Sequence, residues 1–395
     1  MKKKRILVFP FDIAAHYLRC LMLARALKDD YDILFCHSGK YADLIKMEGF
    51  ETFKCKSFDP DKVLKNISNF SFDWLNYNDL QEIIQHQAAQ VNTLKPFYVI
   101  GDNMPTLNIV SELTGCIYIS LVNTYMTKYY ALQRPVPRNH PSKMYEQKLP
   151  VNVYNRIACY AEKYMFKKIH KPFKKIRKEM HLQKVHDYQN ELEGSINLLC
   201  DSEFIFPVKS LPSSYRIIGP LFYKGDQKEN EVIEWLKKRG RKNILVNMGS
   251  TGDISALKLL KSKEFDEFSI VIAGETNRIF SENHVYCKLF INNAAILDMI
   301  DLVICHGGNG TIYQALSFGI PLLCLPSLFE QEYNIERIST LGLGAEINLY
   351  NQEDELIKII RLWIDKKQKG VFSEIQQNIK FDITIESIKR VFNSC

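Results

Sequence analysis

Asp301-Leu-Val-Ile-Cys-His-Gly-Gly-Asn-Gly-Thr-Ile-Tyr-Gln-Ala-Leu-Ser-Phe-Gly319 is the stretch on which the fold reading of this 395-residue chain turns. Four apolar residues, Leu302–Cys305, read as a buried strand that runs through glycines into a helical pattern. That order leaves backbone N–H groups unpaired at a helix N-terminus, where the helix dipole also favours negative charge. Gly307, Gly308 and Gly310 let the backbone come close to a diphosphate, Thr311 can donate a hydroxyl, and His306 can donate a ring N–H. Alone, such a glycine cluster is only a tight strand-to-helix turn. The residues downstream strengthen the diphosphate reading: Gly319-Ile-Pro321 leads into a strand at Leu322–Leu325, then Pro326, Glu330-Gln331 and Asn334.

Outward from this segment, short β-branched or aromatic runs alternate with longer amphipathic ones, the pattern of parallel sheets with crossover helices. In the first half the strands read as Ile6–Phe9, Asp32–Cys36, Glu51–Cys55, Phe97–Ile100 and Cys116–Leu121, with Ser195–Cys200 and Arg216–Gly219 closing the series. Helical patterns fall at Leu18–Leu27, Tyr41–Met47, Leu80–Leu94 and Thr106–Leu113. A second series comes after the turn-rich Gly219–Gly225, with strands at Ile244–Asn247, Ser269–Ile272, Val285–Phe290, Leu302–Cys305 and Leu322–Leu325. The expectation is an α/β chain of two doubly wound Rossmann-like domains, 1–225 and 226–395, facing each other across a cleft. The last segment, Val371–Phe392, is assignable to either domain.

Composition narrows the class. Hydrophobic residues make up 46% and charged ones 25%, ordinary globular values, and no run approaches the roughly 18 apolar residues of a membrane span. Met1-Lys-Lys-Lys-Arg5 resembles the charged head of a signal peptide, but the apolar run after it stops at Asp12 and no small-residue cleavage site follows, so a charged lead-in to a first strand is expected. Ten cysteines are scattered singly with no CxxC pair, so reduced thiols and a cytoplasmic location are expected. The net charge of +7 comes with no nucleic-acid signature. Lys163–Met180 combines basic residues with apolar Met165, Phe166, Ile169, Phe173, Ile176 and Met180. It reads either as a membrane-surface helix or, preferred because Pro172 interrupts it, as a helix covering the first domain.

The segment from His306 to Asn334 resembles the donor-binding signature of glycosyltransferase family 1, enzymes of GT-B fold that include bacterial macrolide and natural-product glycosyltransferases. Phe9-Pro-Phe11 with His16 resembles that family's first strand and its histidine. Val99-Ile-Gly-Asp102 resembles the strand end carrying the partner aspartate, Ile218-Gly-Pro220 the start of the interdomain linker, and Asn247-Met-Gly-Ser-Thr251 the first strand and loop of the donor domain. The resemblance implies a hexosyltransferase that inverts the anomeric centre and moves a sugar from a nucleotide diphosphate donor, UDP-linked or dTDP-linked, to a hydroxyl. His16 would be the general base and Asp102 its partner. Ser250, Thr251, His306, Gly308, Asn309, Gly310 and Thr311 would hold the diphosphate, Gln314 the ribose, Glu330 and Gln331 the sugar, and Phe290 and Ile291 the base.

The chemistry of the residues fits those roles. A histidine held by a carboxylate keeps one tautomer and is stabilised as it takes a proton. A carboxylate can accept from two vicinal hydroxyls, and an amide both donates and accepts. With protein donors on the diphosphate, neither cofactor nor metal is expected. Four residues depart from the family pattern: Gln314 in place of glutamate, Glu330 in place of aspartate, Arg19 where proline is common, and Ala15 where glycine is common. Two other readings stay open: a membrane-surface enzyme with a lipid acceptor, using Lys163–Met180, and a non-catalytic partner protein. The aromatic residues Phe72, Trp74, Tyr77, Tyr125, Tyr129 and Tyr130 lie in two stretches, Phe70–Asn78 and Asn123–Pro150, that read either as an apolar acceptor wall or as loop packing. The sequence fits a monomer or a homodimer.

Overall fold

The structure is a computed structural model and describes residues 3–69, 71–138, 140–274, 279–347, 353–379 and 381–393. Phe70, one end of an expected acceptor stretch, lies outside the described residues. The chain divides into two compact units. One runs to Gly219 and resumes at Ile385; the other is Pro220–Thr384.

In the first unit seven parallel strands form one sheet: β1 (Lys4–Pro10), β2 (Tyr31–Cys36), β3 (Glu51–Phe53), β4 (Tyr98–Asp102), β5 (Ile117–Val122), β6 (Ile196–Leu199) and β7 (Tyr215–Ile217), in the order β3-β2-β1-β4-β5-β6-β7. The helices between them are α1 (Ala14–Leu27), α2 (Ala42–Met47), α3 (Pro60–Ser68), α4 (Tyr77–Leu94), α5 (Leu107–Thr114), α6 (Val151–Ile169), α7 (Lys171–Glu179) and α8 (Tyr188–Glu191). Ile6, Leu7, Val8 and Val99, Ile100 are buried because helices cover both faces of the sheet, so these strands are apolar throughout instead of alternating. Strand order reverses between β1 and β4, where Pro10 pairs with Asp102. Side chains beyond this reversal have no crossover helix above them, and ligands of doubly wound sheets bind there.

The second unit repeats the plan with six parallel strands: β8 (Lys242–Asn247), β9 (Phe268–Ala273), β10 (Val285–Lys288), β11 (Leu302–Cys305), β12 (Leu322–Cys324) and β13 (Gly344–Glu346), ordered β10-β9-β8-β11-β12-β13. Its helices are α9 (Asn230–Arg239), α10 (Asn309–Ser317), α11 (Phe329–Thr340), α12 (Glu353–Gln368) and α13 (Ser373–Asn378). The reversal here lies between β8 and β11, with Asn247 opposite Cys305. The last helix, α14 (Phe381–Asn393), runs from the second unit into the first, where the Phe392 ring meets Tyr31 and Tyr98 edge-on at 5.8 and 5.6 Å.

Lys163–Met180 differs from the membrane-helix reading. Its apolar residues point inward: Phe166, Ile169, Phe173 and Ile176 are buried in the core of the first unit, so this stripe is packing. After Val151 at its start, the exposed large apolar residues of α6 lie on its other face, at Val153, Ile157, Tyr160 and Tyr164. Their spacing of four, three and four residues makes one continuous helical stripe. Among the described residues no helix is long and apolar enough to cross a membrane.

Candidate active site

Helix α1 begins at Ala14, four residues before the sequence pattern suggested, and this puts His16 in its first turn. Arg19 is three residues on and therefore shares that face. Both reach Asp102, which is completely buried at the end of β4. His16 Nδ1 is 3.0 Å from Asp102 Oδ1. Arg19 Nε donates to Asp102 Oδ2 at 2.6 Å, and Nη2 donates to Oδ1, a two-point fork on one carboxylate. Burial alone would raise the Asp102 carboxyl, but the charge of Arg19, then of His16, with their hydrogen bonds, holds it below its ordinary value. Asp102 is thus a carboxylate at neutral pH, as a partner for an imidazolium must be. The sequence marked Arg19 only as a departure from pattern; the structure makes it the third member of the cluster.

Beside His16 lies the Phe11 ring, 5.8 Å between centroids, and behind Phe11 stand Phe58, stacked at 5.5 Å, and Trp74, edge-on at 5.7 Å. Trp74, Tyr125 and Tyr130 are buried, so these three belong to packing. Among the described residues the Trp74 indole N–H nevertheless has no hydrogen-bond partner.

At the second reversal, β11 passes through His306 into α10. The N-cap is Gly308 in an extended conformation, with no side-chain cap and no acid in the first turn. An aspartate or serine here would cap the helix; a bare glycine supplies no such side chain. A Cβ on Gly310 would meet nothing within 4 Å, so the first turn is open on that side. Two other glycines serve the histidine. A Cβ on Gly308 would stand 2.4 Å from His306 Nε2, and one on Gly249 2.5 Å from its Cε1. The ring is therefore clamped between two glycine backbones. Burial pushes its pKa down to about 4, more than the nearby Asn247 backbone group raises it, so His306 is a neutral donor at pH 7. Ser250 is exposed in the loop after β8, and Thr251 and Thr311 are half-buried.

The structure brings further sequence-marked residues to this end of the unit and gives several of them internal partners. Gln331 Oε1 accepts from the backbone N–H groups of Ser327 (2.7 Å) and Leu328 (3.0 Å), capping α11, while Nε2 donates to Thr251 Oγ1 at 2.9 Å. Instead of reaching freely for a sugar, this buried amide joins the α11 start to the loop that holds Ser250. Glu330, beside it in the first turn, is half-buried. Asn334 Nδ2 donates to the Gly307 carbonyl at 2.9 Å and so fixes the turn in which Gly307 takes φ +89°. Gln314 Nε2 donates to the Tyr223 carbonyl (2.9 Å) and its Oε1 accepts from Asn293 Nδ2 (3.2 Å). Phe290 is exposed with its ring against Tyr223, and Ile291 is buried. Among the described residues no group of three or more His, Cys, Asp or Glu side chains gathers at metal-binding distance.

Residues 230–387 match the glycosyltransferase family 28 C-terminal domain. The second unit carries a glycosyltransferase C-terminal domain, and the fold is GT-B. The matched family is 28, where the motif pattern resembles family 1. A PGL/p-HBAD biosynthesis glycosyltransferase of Mycobacterium tuberculosis is 25% identical over 337 residues, 84% of this chain and 77% of that one. Among solved structures, the glycotransferase of kitacinnamycin covers 100% of this chain over 99% of its own, with TM-score 0.73 and 14% identity. The glycosyltransferase VinC, solved in complex with dTDP, covers 98% of this chain over 100% of its own, with TM-score 0.62 and 15% identity.

Proposed function

We propose that this GT-B glycosyltransferase moves a hexose from a nucleotide diphosphate donor to a hydroxyl of an apolar small-molecule acceptor, inverting the anomeric centre without a metal ion or cofactor. The observation that carries this reading is His16 Nδ1 at 3.0 Å from the buried carboxylate of Asp102. The charge of Asp102, 3.0 Å from Nδ1, favours the tautomer protonated there, which leaves Nε2 as the lone-pair nitrogen that takes the acceptor hydroxyl proton. The freed oxygen attacks the anomeric carbon while the bond to the diphosphate breaks on the opposite face. The leaving oxygens collect on the uncapped N–H groups of α10, with His306, Thr311 and Ser250 as further donors. Glu330 accepts sugar hydroxyls, Gln314 Oε1 keeps a lone pair for the ribose, and Phe290 offers an exposed ring to the base. UDP is the expected nucleotide; the dTDP complex of VinC makes dTDP the first alternative to try. Nine described cysteines are free thiols, which suits action in the reducing cytoplasm.

The experiment is His16→Ala assayed with UDP-glucose and dTDP-glucose against a panel of phenolic acceptors, with calorimetric titration of UDP. Turnover should fall at least a hundredfold while UDP affinity holds. Unchanged turnover would remove His16 from the base role, and restoration of EDTA-treated enzyme by magnesium would contradict metal independence.

One observation favours a second reading, a lipid acceptor met at an anionic bilayer. The exposed stripe Val153–Ile157–Tyr160–Tyr164 on α6 is flanked by exposed Arg156, Lys163, Lys167 and Lys168. The helix's one acid, Glu162, is taken by Arg134 at 2.8 Å. Interfacial tyrosines with cations and no free acid complement a phosphatidylglycerol surface. Co-sedimentation with phosphatidylglycerol vesicles, lost in Tyr160→Ser/Tyr164→Ser and absent with phosphatidylcholine, supports it. No binding to either vesicle, or equal binding by the variant, excludes it.

A further inference from the structure

Nine cysteines are described, and the reaction as proposed uses none of them. Two pairs of their thiols touch. Cys305, the last residue of β11, lies beside Cys324, the last of β12, with 3.6 Å between the sulfurs, and both are completely buried. The second pair sits in the first unit. Cys36 ends β2 and is buried, while Cys55 is half-buried two residues past the end of β3, the strand next to β2. The Cys36 sulfur lies 3.9 Å from the Cys55 carbonyl oxygen, and the Cys36 thiol hydrogen-bonds the Cys55 sulfur. The Lys56 backbone N–H bonds to the same sulfur.

These contacts give Cys55 the properties of a reactive thiol. A sulfur that accepts two hydrogen bonds carries negative charge more easily, and partial exposure lets a small solute reach it. The bond from Cys36 holds the Cys55 thiol below its ordinary value against the effect of burial, and the Lys56 N–H acts the same way. Burial pushes the thiols of Cys20, Cys116 and Cys200 in the opposite direction. The pair also touches the wall beside His16. Cys36, Phe53 and Phe58 share one core cluster with Phe11 and Trp74, and Cys55 packs against it. Phe58, three residues after Cys55, stacks on Phe11, whose ring lies against His16. Tyr17, next to His16 in α1, donates to the Cys36 carbonyl at 2.6 Å.

We propose that Cys36 and Cys55 form a thiol switch, closed to a disulfide by hydrogen peroxide, that reshapes the acceptor side of His16. Its effect on turnover rests on the reading of His16 as the base; the disulfide itself does not. The Cys55 sulfur, as thiolate, attacks one peroxide oxygen and the O–O bond breaks. The sulfur becomes a sulfenic acid, and the departing hydroxide leaves as water with the proton that Cys55 released. The Cys36 sulfur then attacks Cys55 Sγ, the S–O bond breaks, and the oxygen leaves as a second water with the Cys36 proton. The two thiols lose two electrons, and the peroxide takes them. Sulfurs in hydrogen-bond contact must come closer to reach the ~2.05 Å of a disulfide, and Cys55, outside any strand, is the partner that moves. Phe58 follows it, and a close-packed ring stack cannot take up the shift continuously. Cys305 and Cys324, though in contact, are too deeply buried for a peroxide to reach.

The test treats the full chain with hydrogen peroxide, blocks the remaining thiols with N-ethylmaleimide in denaturant, and reads the intact mass and the disulfide-linked peptides. The expected result is the loss of two hydrogens in one Cys36–Cys55 bridge, reversed by dithiothreitol. With a phenolic acceptor, the acceptor KM should rise about threefold or more at unchanged UDP-glucose KM. Cys36→Ala should stop at the Cys55 sulfenic acid, trapped by dimedone, and Cys55→Ser should keep its acceptor KM under peroxide. No bridge, a bridge at Cys305–Cys324 instead, or a Cys36–Cys55 bridge with an unaltered acceptor KM overturns the proposal. His16→Ala separates the two levels: full turnover there, with the acceptor KM still raised by the bridge in wild type, would keep the switch and remove the base role.

Discussion

Seated between two glycine backbones, the buried His306 ring ties the stability of the second unit to pH. Its folded pKa of about 4 lies below the ordinary 6.5, so the unfolded chain takes up the proton first as pH falls. The stability that this neutral ring contributes is therefore complete above pH 6.5 and lost progressively toward pH 4. The loss amounts to about 3 kcal/mol. His306→Gln, which keeps a donor and removes the titration, should flatten the fall in urea-denaturation stability between pH 7 and 4; an unaltered pH slope would show that the ring is not the cause. For Gln314, the sequence suggests a gain of nucleotide affinity on change to glutamate, through a charge-assisted bond to the ribose. The partners of Gln314 give a different expectation. A carboxylate cannot donate to the Tyr223 carbonyl 2.9 Å away and would face it oxygen to oxygen. Gln314→Glu should destabilise the second unit by about 1–3 kcal/mol without tightening UDP, read by calorimetry and thermal melting. Gln314 and Arg19 are visible in the sequence as unusual letters. What they touch is not, because Arg19 and Asp102 are 83 positions apart and Gln314 and Tyr223 are 91.

Helices α10 and α11 divide labour in a way their sequences half reveal. The strand–glycine–helix order of Leu302–Ser317 announces an open N-terminus, and α10 has one. The same motif logic assigns Gln331 to the sugar, but its first partners are the backbone of its own helix start and Thr251. Capping of this sort depends on where a chain turns, which periodicity does not encode. Gln331→Ala would leave the Ser327 and Leu328 N–H groups and the Thr251 hydroxyl without this partner. A loss of about 1–2 kcal/mol in denaturant stability is expected, together with weaker UDP binding as the Ser250–Thr251 loop loosens. Weaker UDP binding at unchanged stability would instead mean that the amide meets the ligand directly. Helix α6 gives the opposite lesson. The apolar residues that suggest a surface helix, Phe166 and Ile169 among them, are core, while the exposed stripe runs through Tyr160 and Tyr164 in the same helix. A helix with apolar residues on two faces gives no single stripe for a sequence pattern to orient.

Across the whole molecule, one arrangement is used twice: a parallel sheet whose strand order reverses, with the candidate site residues at the reversal. Alternating apolar runs make both sheets legible, and β13, three residues of which only Gly344 is buried, is too short and too little apolar to be seen. The end of the chain is ambiguous in sequence because α14 carries apolar residues along its length and divides between units, with Thr384 the last residue of one and Ile385 the first residue in the other. Phe392 shows what the returning segment contributes. It is 3% exposed and closes an aromatic group with Tyr31, at the start of β2, and Tyr98, at the start of β4. These are the opposite strand ends from His16 and Asp102, so the contact bears on stability and not on chemistry. Phe392→Ala removes a buried ring from a site that cannot collapse around a helix end, at a cost of about 3 kcal/mol. Lys389→Ala, exposed on the same helix, should cost almost nothing. In urea, tyrosine fluorescence should report unfolding of Phe392→Ala at a lower concentration, while the UDP-stabilised transition of the second unit stays where it was. If both transitions move together, the units unfold as one. If neither moves, Phe392 does not hold the chain end to the first unit.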